Sequence, residues 1–420
     1  MKTKLSQEAY DAILGTLVAD AAGMGVHWIY SQGKIASIAN NSSAKNSGSN
    51  NSSDKSAGSV SFLEPNPENY QGVPAFFAHP HKRAGEGTNY SEYYYVLLKA
   101  LGDQGFSLGD FIRIFGEHFG VGGTYVGYAD SPMRETIYAM TKQAKELERV
   151  CTEIESSLDP TKKKGASHYI ARYFFEFDTP GLKETVRAPL KLQQFSQDEL
   201  QEVDRIIDLV SQKVPPLGPD DDQMPALTRS ALFADLYSGD ELKQKLDQAV
   251  QVTNNNPKAL AYSLFFAHIL ADLYAKRREL LAGTKTSDMS LTKTLDKTAV
   301  EYLAKEFASS VTRWASLLAP DSAELVKQAL ESQKLDYRAM TKHFGAACHV
   351  DMAVPLSIHI LLHTNSFQEA VESNNLASGD NCGRAVFLGA IAGVMYGTGG
   401  ECGIPSDWIN KTQLERYEFG

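Results

Sequence analysis

The sequence has few cysteines and no long hydrophobic run. Its four cysteines, Cys151, Cys348, Cys382 and Cys402, are widely spaced and form no C-x-x-C pair, so neither a disulfide framework nor a zinc site is indicated. No apolar segment reaches the length of a membrane span, and the N-terminus lacks the apolar core of a secretory signal. We therefore expect a cytoplasmic protein with no membrane partner.

Basic residues are outnumbered by acidic ones. Lys and Arg total 41 against 51 Asp and Glu, which gives a formal net charge of −10 at pH 7. Nucleic-acid backbones are bound by a basic face, and a short basic run such as His81–Arg83 is too small to provide one. We expect no nucleic-acid partner.

Convincing strand patterns are also absent, because apolar residues recur every three or four positions and not every two. This spacing predicts an all-α fold. The predicted helices are Gln7–Met24, Ser91–Leu101, Phe106–Phe119, Pro132–Ile154, Ser167–Phe175, Asp198–Lys213, Ala226–Leu236, Glu241–Val252, Lys258–Ala275, Lys297–Leu318, Val350–Leu362, Phe367–Glu372, Ser378–Gly397 and Pro405–Gln413.

One stretch, Ala39–Ser59, consists of Asn, Ser, Lys and Gly with almost no apolar residues. Such a composition cannot bury enough surface to offset the entropy of ordering, so it predicts a disordered insertion. The chain of 420 residues is long enough for one large domain or for two, divided near residues 214–222.

The most informative stretch is Ser378–Gly397, SGDNCGRAVFLGAIAGVMYG. Asp380 or Asn381 can cap the start of a helix, and Gly389 and Gly393 lie one turn apart on a run that is otherwise small and apolar. A helix of this kind is buried and allows another backbone to approach closely. It is either a core helix alone or a core helix whose polar N-terminus faces a ligand site.

Two motifs in this chain resemble signatures of the ADP-ribosylglycohydrolase family. Ser378–Gly397 is similar to the family's C-terminal GGDTDT motif and the small-residue helix after it. Ile13–Gly25, ILGTLVADAAGMG, is similar to its opening G-x-x-x-G-D-A-x-G helix, with Asp20 in the place of the aspartate. Val26–Tyr30 and Tyr125–Asp130 look more like the J-crystallin branch. The resemblance implies a single orthogonal helical domain, into which residues 39–59 are inserted.

The resemblance also implies a place for two Mg²⁺ ions, held between a T-D-D-T motif and the D-T-D-T of the C-terminal signature. Hard cations prefer oxygen ligands, and a metal pair needs several carboxylates to offset its charge. Here Thr88 and Asp380 match the family's ligands, whereas Asn89, Tyr90 and Cys382 stand where it has aspartates. The sequence therefore predicts weak binding of one Mg²⁺ at most.

Other side chains are candidates to replace the missing ligands. Glu92, one turn after Asn89, and Asp20 are the candidate carboxylates, although Asp20 is also readable as a hydrogen-bonding strut. Cys382 at a helix N-terminus could act as a nucleophile with His349 as its partner. The alternative is that both are structural residues.

Ligand contacts are predicted at the exit of the Asp20 helix and in a glycine-rich stretch. His27 and Trp28 could stack on an adenine or nicotinamide-like ring, although core packing explains them about equally well. The stretch Phe119–Asp130, with Gly122, Gly123, Tyr125 and Tyr128, could turn backbone N–H groups toward a diphosphate, or could simply connect two helices. The acidic run Asp220–Asp222 resembles a metal cluster by count, but it follows three prolines and is interpreted as a solvated turn that caps the next helix.

Three functions remain open on these grounds. The first is hydrolysis of a glycosidic bond to ADP-ribose or a related ribosyl group. The second is binding of such a nucleotide ligand without turnover, and the third is a structural, crystallin-like role. Hydrolysis needs a metal-competent, oxygen-rich site, binding needs only ring and loop contacts, and the structural role needs neither.

Overall fold

A computed structural model describes residues 5–46, 58–103, 105–120, 122–141, 218–283 and 295–417, with a few positions between 196 and 204. Residues 131–141 are helical. The helices are α1 (Gln7–Gly23), α2 (Gln32–Asn46), α3 (Asn89–Lys99), α4 (Leu108–Phe119), α5 (Ser230–Leu236), α6 (Gly239–Gln251), α7 (Pro257–Gly283), α8 (Lys297–Trp314), α9 (Pro320–Leu330), α10 (Tyr337–Phe344), α11 (Val350–Leu362), α12 (Phe367–Leu376), α13 (Asn381–Tyr396) and α14 (Ser406–Lys411).

The centre of the fold is the pair formed by α1 and α13, which lie side by side along most of their lengths. Both are buried on all sides, as the small-residue composition of each predicts. The close approach depends on Gly15, Gly389 and Gly393, because a Cβ atom built on any of them would meet backbone atoms of the other helix. The glycine spacing seen in the sequence is therefore a helix–helix contact.

A buried ion pair lies at the far end of this central pair. Arg277 on α7 donates from Nη2 to Oδ2 of Asp11 over 2.5 Å, and its Nη1 donates to the carbonyl of Val394 over 3.2 Å. The guanidinium thereby covers the C-terminal carbonyls of α13, where a positive charge is favourable. Breaking a buried pair leaves an uncompensated charge, so this contact fixes the register of α7 against the central helices.

The other helices surround the central pair within one continuous apolar core. Helices α3 and α5 and the 3₁₀ segment Met224–Arg229 cover one side, and α11 and α12 cover another. The described strands are only β1 (Leu101–Gly102) and β2 (Gly105–Phe106), an antiparallel hairpin. The predicted all-α class is confirmed. No helix in the described ranges has the length and apolar character required to cross a bilayer.

The predicted disorder of residues 39–59 is wrong for its first part. Helix α2 continues to Asn46, because Ile35, Ile38 and Ala39 pack with Val26 and Val60 in a small separate cluster. Residues 47–57 lie outside the described ranges, as do the helices predicted at 167–175 and over most of 198–213 and 142–154.

The α1–α13 contact generates a stability prediction. In Gly389→Ala, the new Cβ would lie 2.7 Å from the carbonyl oxygen of Gly15, so the two backbones must separate. We expect a loss of about 3 kcal/mol in the free energy of unfolding, measured by chemical denaturation.

The control is Gly33→Ala in α2, where the added Cβ would meet nothing closer than 3.9 Å. That change should be neutral or stabilising by up to about 1 kcal/mol, because alanine favours the helix. Equal stabilities for the two variants would show that the central helices are not in tight contact at Gly389.

Candidate functional site

Asp380 lies at the N-cap of α13, where the backbone turns sharply. Ser378 and Gly379 both have φ of 71°, and the side chain of Asp380 accepts the N–H of Gly383 over 2.9 Å. The backbone of Gly379 pairs with that of Trp28 and Ile29, at 3.0 and 2.8 Å. This pairing brings the exit of α1 against the start of α13 and sets His27 beside Asp380.

The carboxylate of Asp380 is fully buried and fully engaged. Nε2 of His27 lies 2.7 Å from Oδ1, and the hydroxyl of Tyr90 donates to Oδ2 over 2.7 Å. Burial alone would raise the pKa of this carboxyl, but the hydrogen bonds from His27, Tyr90 and the Gly383 amide hold its pKa below the ordinary value. Asp380 is therefore an anion at neutral pH.

Tyr90 reaches Asp380 because residue 383 is a glycine. A Cβ at Gly383 would lie 2.8 Å from the Tyr90 hydroxyl and closer still to the Asp380 carboxylate. Tyr90, which stands where the family has an aspartate, and Gly383 therefore fit each other in space.

Asn89 makes an equivalent contact with a second buried carboxylate, Asp130. Nδ2 of Asn89 donates to Oδ2 of Asp130 over 2.7 Å. Oδ1 of Asp130 accepts from the Tyr93 hydroxyl at 2.9 Å and from the Met133 amide at 2.8 Å. Burial raises the pKa of Asp130, and these donors oppose the rise. Oδ1 of Asn89 is buried with no partner in the described part of the chain.

Asp20 is the hydrogen-bonding strut that the sequence also allowed. It accepts the backbone N–H of Thr88 at 2.8 Å, the Thr88 hydroxyl at 2.7 Å and the hydroxyl of Ser91. Asp20 is fully buried, and burial raises its pKa despite these bonds. The structure places Asp20 and Thr88 in contact with each other.

Glu92 does not replace a missing metal ligand. Arg416 binds it through two N–H groups at 2.7 and 2.9 Å, and Nε2 of His118 lies 2.9 Å from its Oε2. Lys82 is 3.8 Å away. The helical spacing from Asn89 is correct, but the partners of this carboxylate are basic side chains, and their contacts join α3, α4 and the C-terminal segment.

The nucleophile hypothesis for Cys382 is not supported by its surroundings. The thiol is fully buried and directed at the carbonyl of Asp20, 3.6 Å away, and burial raises its pKa well above the ordinary value. His349, its suggested partner, instead has Nδ1 2.5 Å from Oδ1 of Asp222.

Trp28, whose ring lies 4.1 Å from that of His27, belongs to an aromatic cluster that reaches the surface. We define this aromatic cluster as Trp28, Phe76, His79 and Tyr128. Trp28 meets Tyr128 edge-on at 4.7 Å and lies parallel to His79 at 6.4 Å, and Phe76 contacts both Trp28 and Tyr128. Phe76 is 53% exposed, whereas Trp28 and His79 are buried. Trp28 has φ of 62°, a conformation that costs energy for a bulky residue.

The glycine-rich stretch differs from its predicted role as a row of free N–H groups. The amide of Gly123 donates to the carbonyl of Gly120, and that of Tyr125 donates to the carbonyl of His118, at 2.9 and 3.0 Å. These two groups are unavailable to a diphosphate, because they close the turn at the end of α4. Gly122 is exposed, with φ of 77°.

The acidic run Asp220–Asp222 is only in part the solvated turn that the sequence suggested, because Asp220 is exposed whereas Asp221 and Asp222 are half-buried. Asp222 forms ion pairs with His349 and Lys258, and Asp221 accepts from the Gln223 amide and from Nδ2 of Asn254. Burial, followed by the nearby charges of Asp130 and Asp222, raises the pKa of Asp221 to about 6. The prolines that precede Asp220–Asp222 in the sequence did not indicate that these residues would lie near Asp130.

These residues do not fit a pair of Mg²⁺ ions. Of the positions matched to the family's carboxylates, only Asp380 is acidic, and both its oxygens already accept hydrogen bonds. Tyr90 and Asn89 present donor hydrogens toward Asp380 and Asp130, which is the opposite of what a cation requires. Within the described ranges, no group of three or more His, Cys, Asp or Glu side chains is arranged to hold a metal.

Comparison with known proteins matches the chain to the family that the motifs indicate and to a J-crystallin. The model of the ADP-ribosylglycohydrolase family matches residues 1–419. The chain belongs to the ADP-ribosylglycohydrolase family. It is 23% identical to Crystallin J1A of Tripedalia cystophora, over 96% of this chain and 90% of the relative. A solved structure titled ADP-ribosylglycohydrolase-related protein complex matches 97% of this chain at 15% identity, with a TM-score of 0.44.

Membership of the ADP-ribosylglycohydrolase family was predictable from the two end motifs, but several residues of the site were not. His79 lies in a segment whose prolines indicated only irregular structure, and Arg384 was hidden in the small-residue helix. Asp130 ends the stretch that was singled out for its glycines. No local pattern shows that Asp130 meets Asn89, because 41 residues separate them.

The hydrogen bond from Tyr90 to Asp380 generates a prediction about the stability of this protein. In Tyr90→Phe, Oδ2 of the buried Asp380 loses its donor, and hydrogen bonds to charged groups contribute about 2 kcal/mol. We expect a loss of that size in the free energy of unfolding, measured by urea denaturation. Tyr95→Phe, on the same helix, is the matched control, and it should change stability little. Similar effects for both would contradict the structure.

The raised pKa of Asp221 generates a pH prediction. The folded state holds this proton up to a pH of about 6, whereas the unfolded chain releases it near pH 3.9, so stability falls as the pH rises through this window. Asp221→Asn should therefore show a smaller fall in denaturation midpoint between about pH 4 and pH 7. The exposed neighbour is the control, and Asp220→Asn should keep the original pH dependence.

Proposed function

We propose that this protein binds an ADP-ribosyl or related ribosyl ligand at the aromatic cluster and the adjoining buried carboxylates, without a Mg²⁺ pair. The observation that carries this proposal is the 2.7 Å hydrogen bond from Tyr90 to Asp380, which occupies the one retained carboxylate. Family membership supports the ligand class, and the replaced carboxylates argue against the family's metal chemistry.

Charge is the physical reason for separating ligand binding from metal binding. Two divalent cations bring about four positive charges into a small volume, and their repulsion must be offset by anionic ligands. Asp380 supplies one negative charge, and this charge already interacts with the positively charged guanidinium of the buried Arg384. A second cation near this carboxylate would be poorly compensated.

The aromatic cluster supports a ring-bearing ligand. Phe76 and Tyr128 are accessible beside the buried Trp28, so they offer stacking faces at the protein surface. Tyr30 is 38% exposed. Burial of part of its ring raises the pKa of the phenol, and the nearby negative charge of Asp380 raises this pKa further. A flat base could stack on the rings while its ribose approaches the polar residues.

The second candidate is a structural role, and the likeness to Crystallin J1A favours it. Such a role needs a stable fold at high concentration and no ligand site. The same site residues would then be retained as packing. The third candidate is hydrolysis of a glycosidic bond, the activity that the family name implies. An assay for release of ADP-ribose distinguishes it from the other two.

Calorimetric titration tests the proposal. We expect ADP-ribose to bind with an affinity that Mg²⁺ leaves unchanged, and Mg²⁺ alone to bind weakly with one equivalent at most. Phe76→Ala removes an exposed stacking face and should weaken ADP-ribose binding about tenfold, which corresponds to roughly 1.4 kcal/mol. Tyr138→Ala, which removes an exposed aromatic ring elsewhere, is the control and should leave the affinity unchanged.

Other results would point to different functions. No binding of ADP-ribose would favour the structural role. Two tightly bound Mg²⁺ equivalents, with Mg²⁺-stimulated release of ADP-ribose from modified protein, would mean that the ligands have been placed wrongly. The triple change Asn89→Asp, Tyr90→Asp, Cys382→Asp restores the family's carboxylates, so it should bind Mg²⁺ more tightly than the unaltered protein does.

A further inference from the structure

A cavity of about 360 Å³ lies between the end of α5, the start of α6 and α7. It is close to the start of α1, because the amide of Ser6 donates to Oδ2 of Asp235 in the cavity wall, at 2.9 Å. His27 and Trp28 follow the opposite end of α1, and a helix of 17 residues is roughly 25 Å long. The cavity is therefore separate from the aromatic cluster and from Asp380.

The lining of this cavity contains one acidic and one basic side chain, Asp235 and Arg278. Within the described ranges, Asp235 accepts only the Ser6 amide, and Arg278 donates only from Nε, to the carbonyl of Tyr274 at 3.2 Å. Neither forms an ion pair with a described residue. Oδ1 of Asp235 and both terminal nitrogens of Arg278 are therefore left for other partners.

The two charges are near each other although they do not pair. Both act on the buried phenol of Tyr274. Burial and then the charge of Asp235 raise the pKa of Tyr274 well above its usual value, whereas the charge of Arg278 lowers it. A carboxylate and a guanidinium thus face one cavity side by side, each without its natural partner.

The rest of the lining is mostly apolar or neutral. His268 contributes a ring that is held in place by stacking on Trp314, with centroids 4.0 Å apart. Burial lowers the pKa of His268, with the charge of Asp272 opposing the change, so this ring adds no charge at neutral pH. The apolar side chains of the lining are Ala234, Leu236, Leu242 and Ala271.

The cavity has space for a small molecule only. Pockets that hold small ligands measure about 300–1,000 Å³, and this one is near the lower limit. A Cβ built on Gly239, in the lining, would meet no atom within 4 Å. A ligand of the size of an amino acid suits this volume.

We propose that this cavity binds a small zwitterion with an apolar side chain, of the amino-acid class. The ligand's carboxylate pairs with the terminal nitrogens of Arg278, and its ammonium group pairs with Oδ1 of Asp235. Its side chain packs on the apolar part of the lining. A simple anion or cation is disfavoured, because it would leave one of the two protein charges unpaired beside a like charge. This site is independent of the proposed function.

Three related probes test the charge requirement on the unaltered protein. Leucine carries both charges, isocaproate lacks its amino group, and isoamylamine lacks its carboxylate. We expect leucine to bind about tenfold more tightly than either analogue in calorimetric titration, because each analogue loses one hydrogen-bonded charge pair. Leucyl-leucine distinguishes the source of the ligand, since tighter binding of the dipeptide would assign the cavity to a short peptide with both ends free.

Two substitutions of similar size identify the groups responsible. Arg278→Gln should bind leucine and isoamylamine equally, because the partner of the carboxylate is lost. Asp235→Asn should bind leucine and isocaproate equally, and it keeps an oxygen that can accept the Ser6 amide. Lys276→Gln removes a positive charge from α7 outside the cavity lining, and this control should keep both tenfold preferences.

Several results would overturn the inference. Equal affinities of leucine and its two analogues for the unaltered protein would show that the paired charges do not select the ligand. Preferences that survive Arg278→Gln and Asp235→Asn, or absence of binding by all the probes, would also contradict it. Leucine that competes with ADP-ribose would place its site at the aromatic cluster. Absence of ADP-ribose binding, in contrast, would overturn only the proposed function.

Discussion

A carboxylate removed from water must be satisfied by its neighbours, and at Asp380 this requirement organises the surrounding structure. The backbone of Gly383, the phenol of Tyr90 and the imidazole of His27 all approach the two oxygens of this side chain. Each donor comes from a different part of the chain, so α13, α3 and the exit of α1 are held together at one point. Both oxygens of Asp380 already have partners, so a cation bound at this carboxylate would have to displace His27 or Tyr90.

The glycines between α1 and α13 make that meeting point possible. Without a Cβ at Gly15, Gly389 and Gly393, the two backbones approach closely enough for the exit of α1 to reach the N-cap of α13. Small residues that look like mere core packing are thus a geometric condition for the site. Substitutions deep in this contact would displace His27 and Trp28 without touching either residue.

The sequence was sufficient for what depends on periodicity and local motifs. Helical spacing gave the all-α class, and the two glycine-bearing helices gave the family, because both signals lie within short segments. The orientation of Glu92 was not predictable, since its partners Arg416 and His118 are distant in sequence. Asp221 and His79 were missed for the same reason, because their surroundings are formed only when separate segments meet. The helix over residues 39–46 was missed because few apolar residues, Ile38 and Ala39 among them, suffice to hold it.

Trp28 adopts a backbone conformation that glycine would occupy at no cost. A bulky residue there carries a strain of order 1–2 kcal/mol. Replacement by glycine would relieve the backbone but remove the largest ring of the aromatic cluster. The ring is buried among His27, Phe76 and Tyr128, and truncating a buried tryptophan costs about 3–5 kcal/mol. Side-chain packing therefore outweighs backbone strain at this position, and a search for thermostable variants should retain the tryptophan.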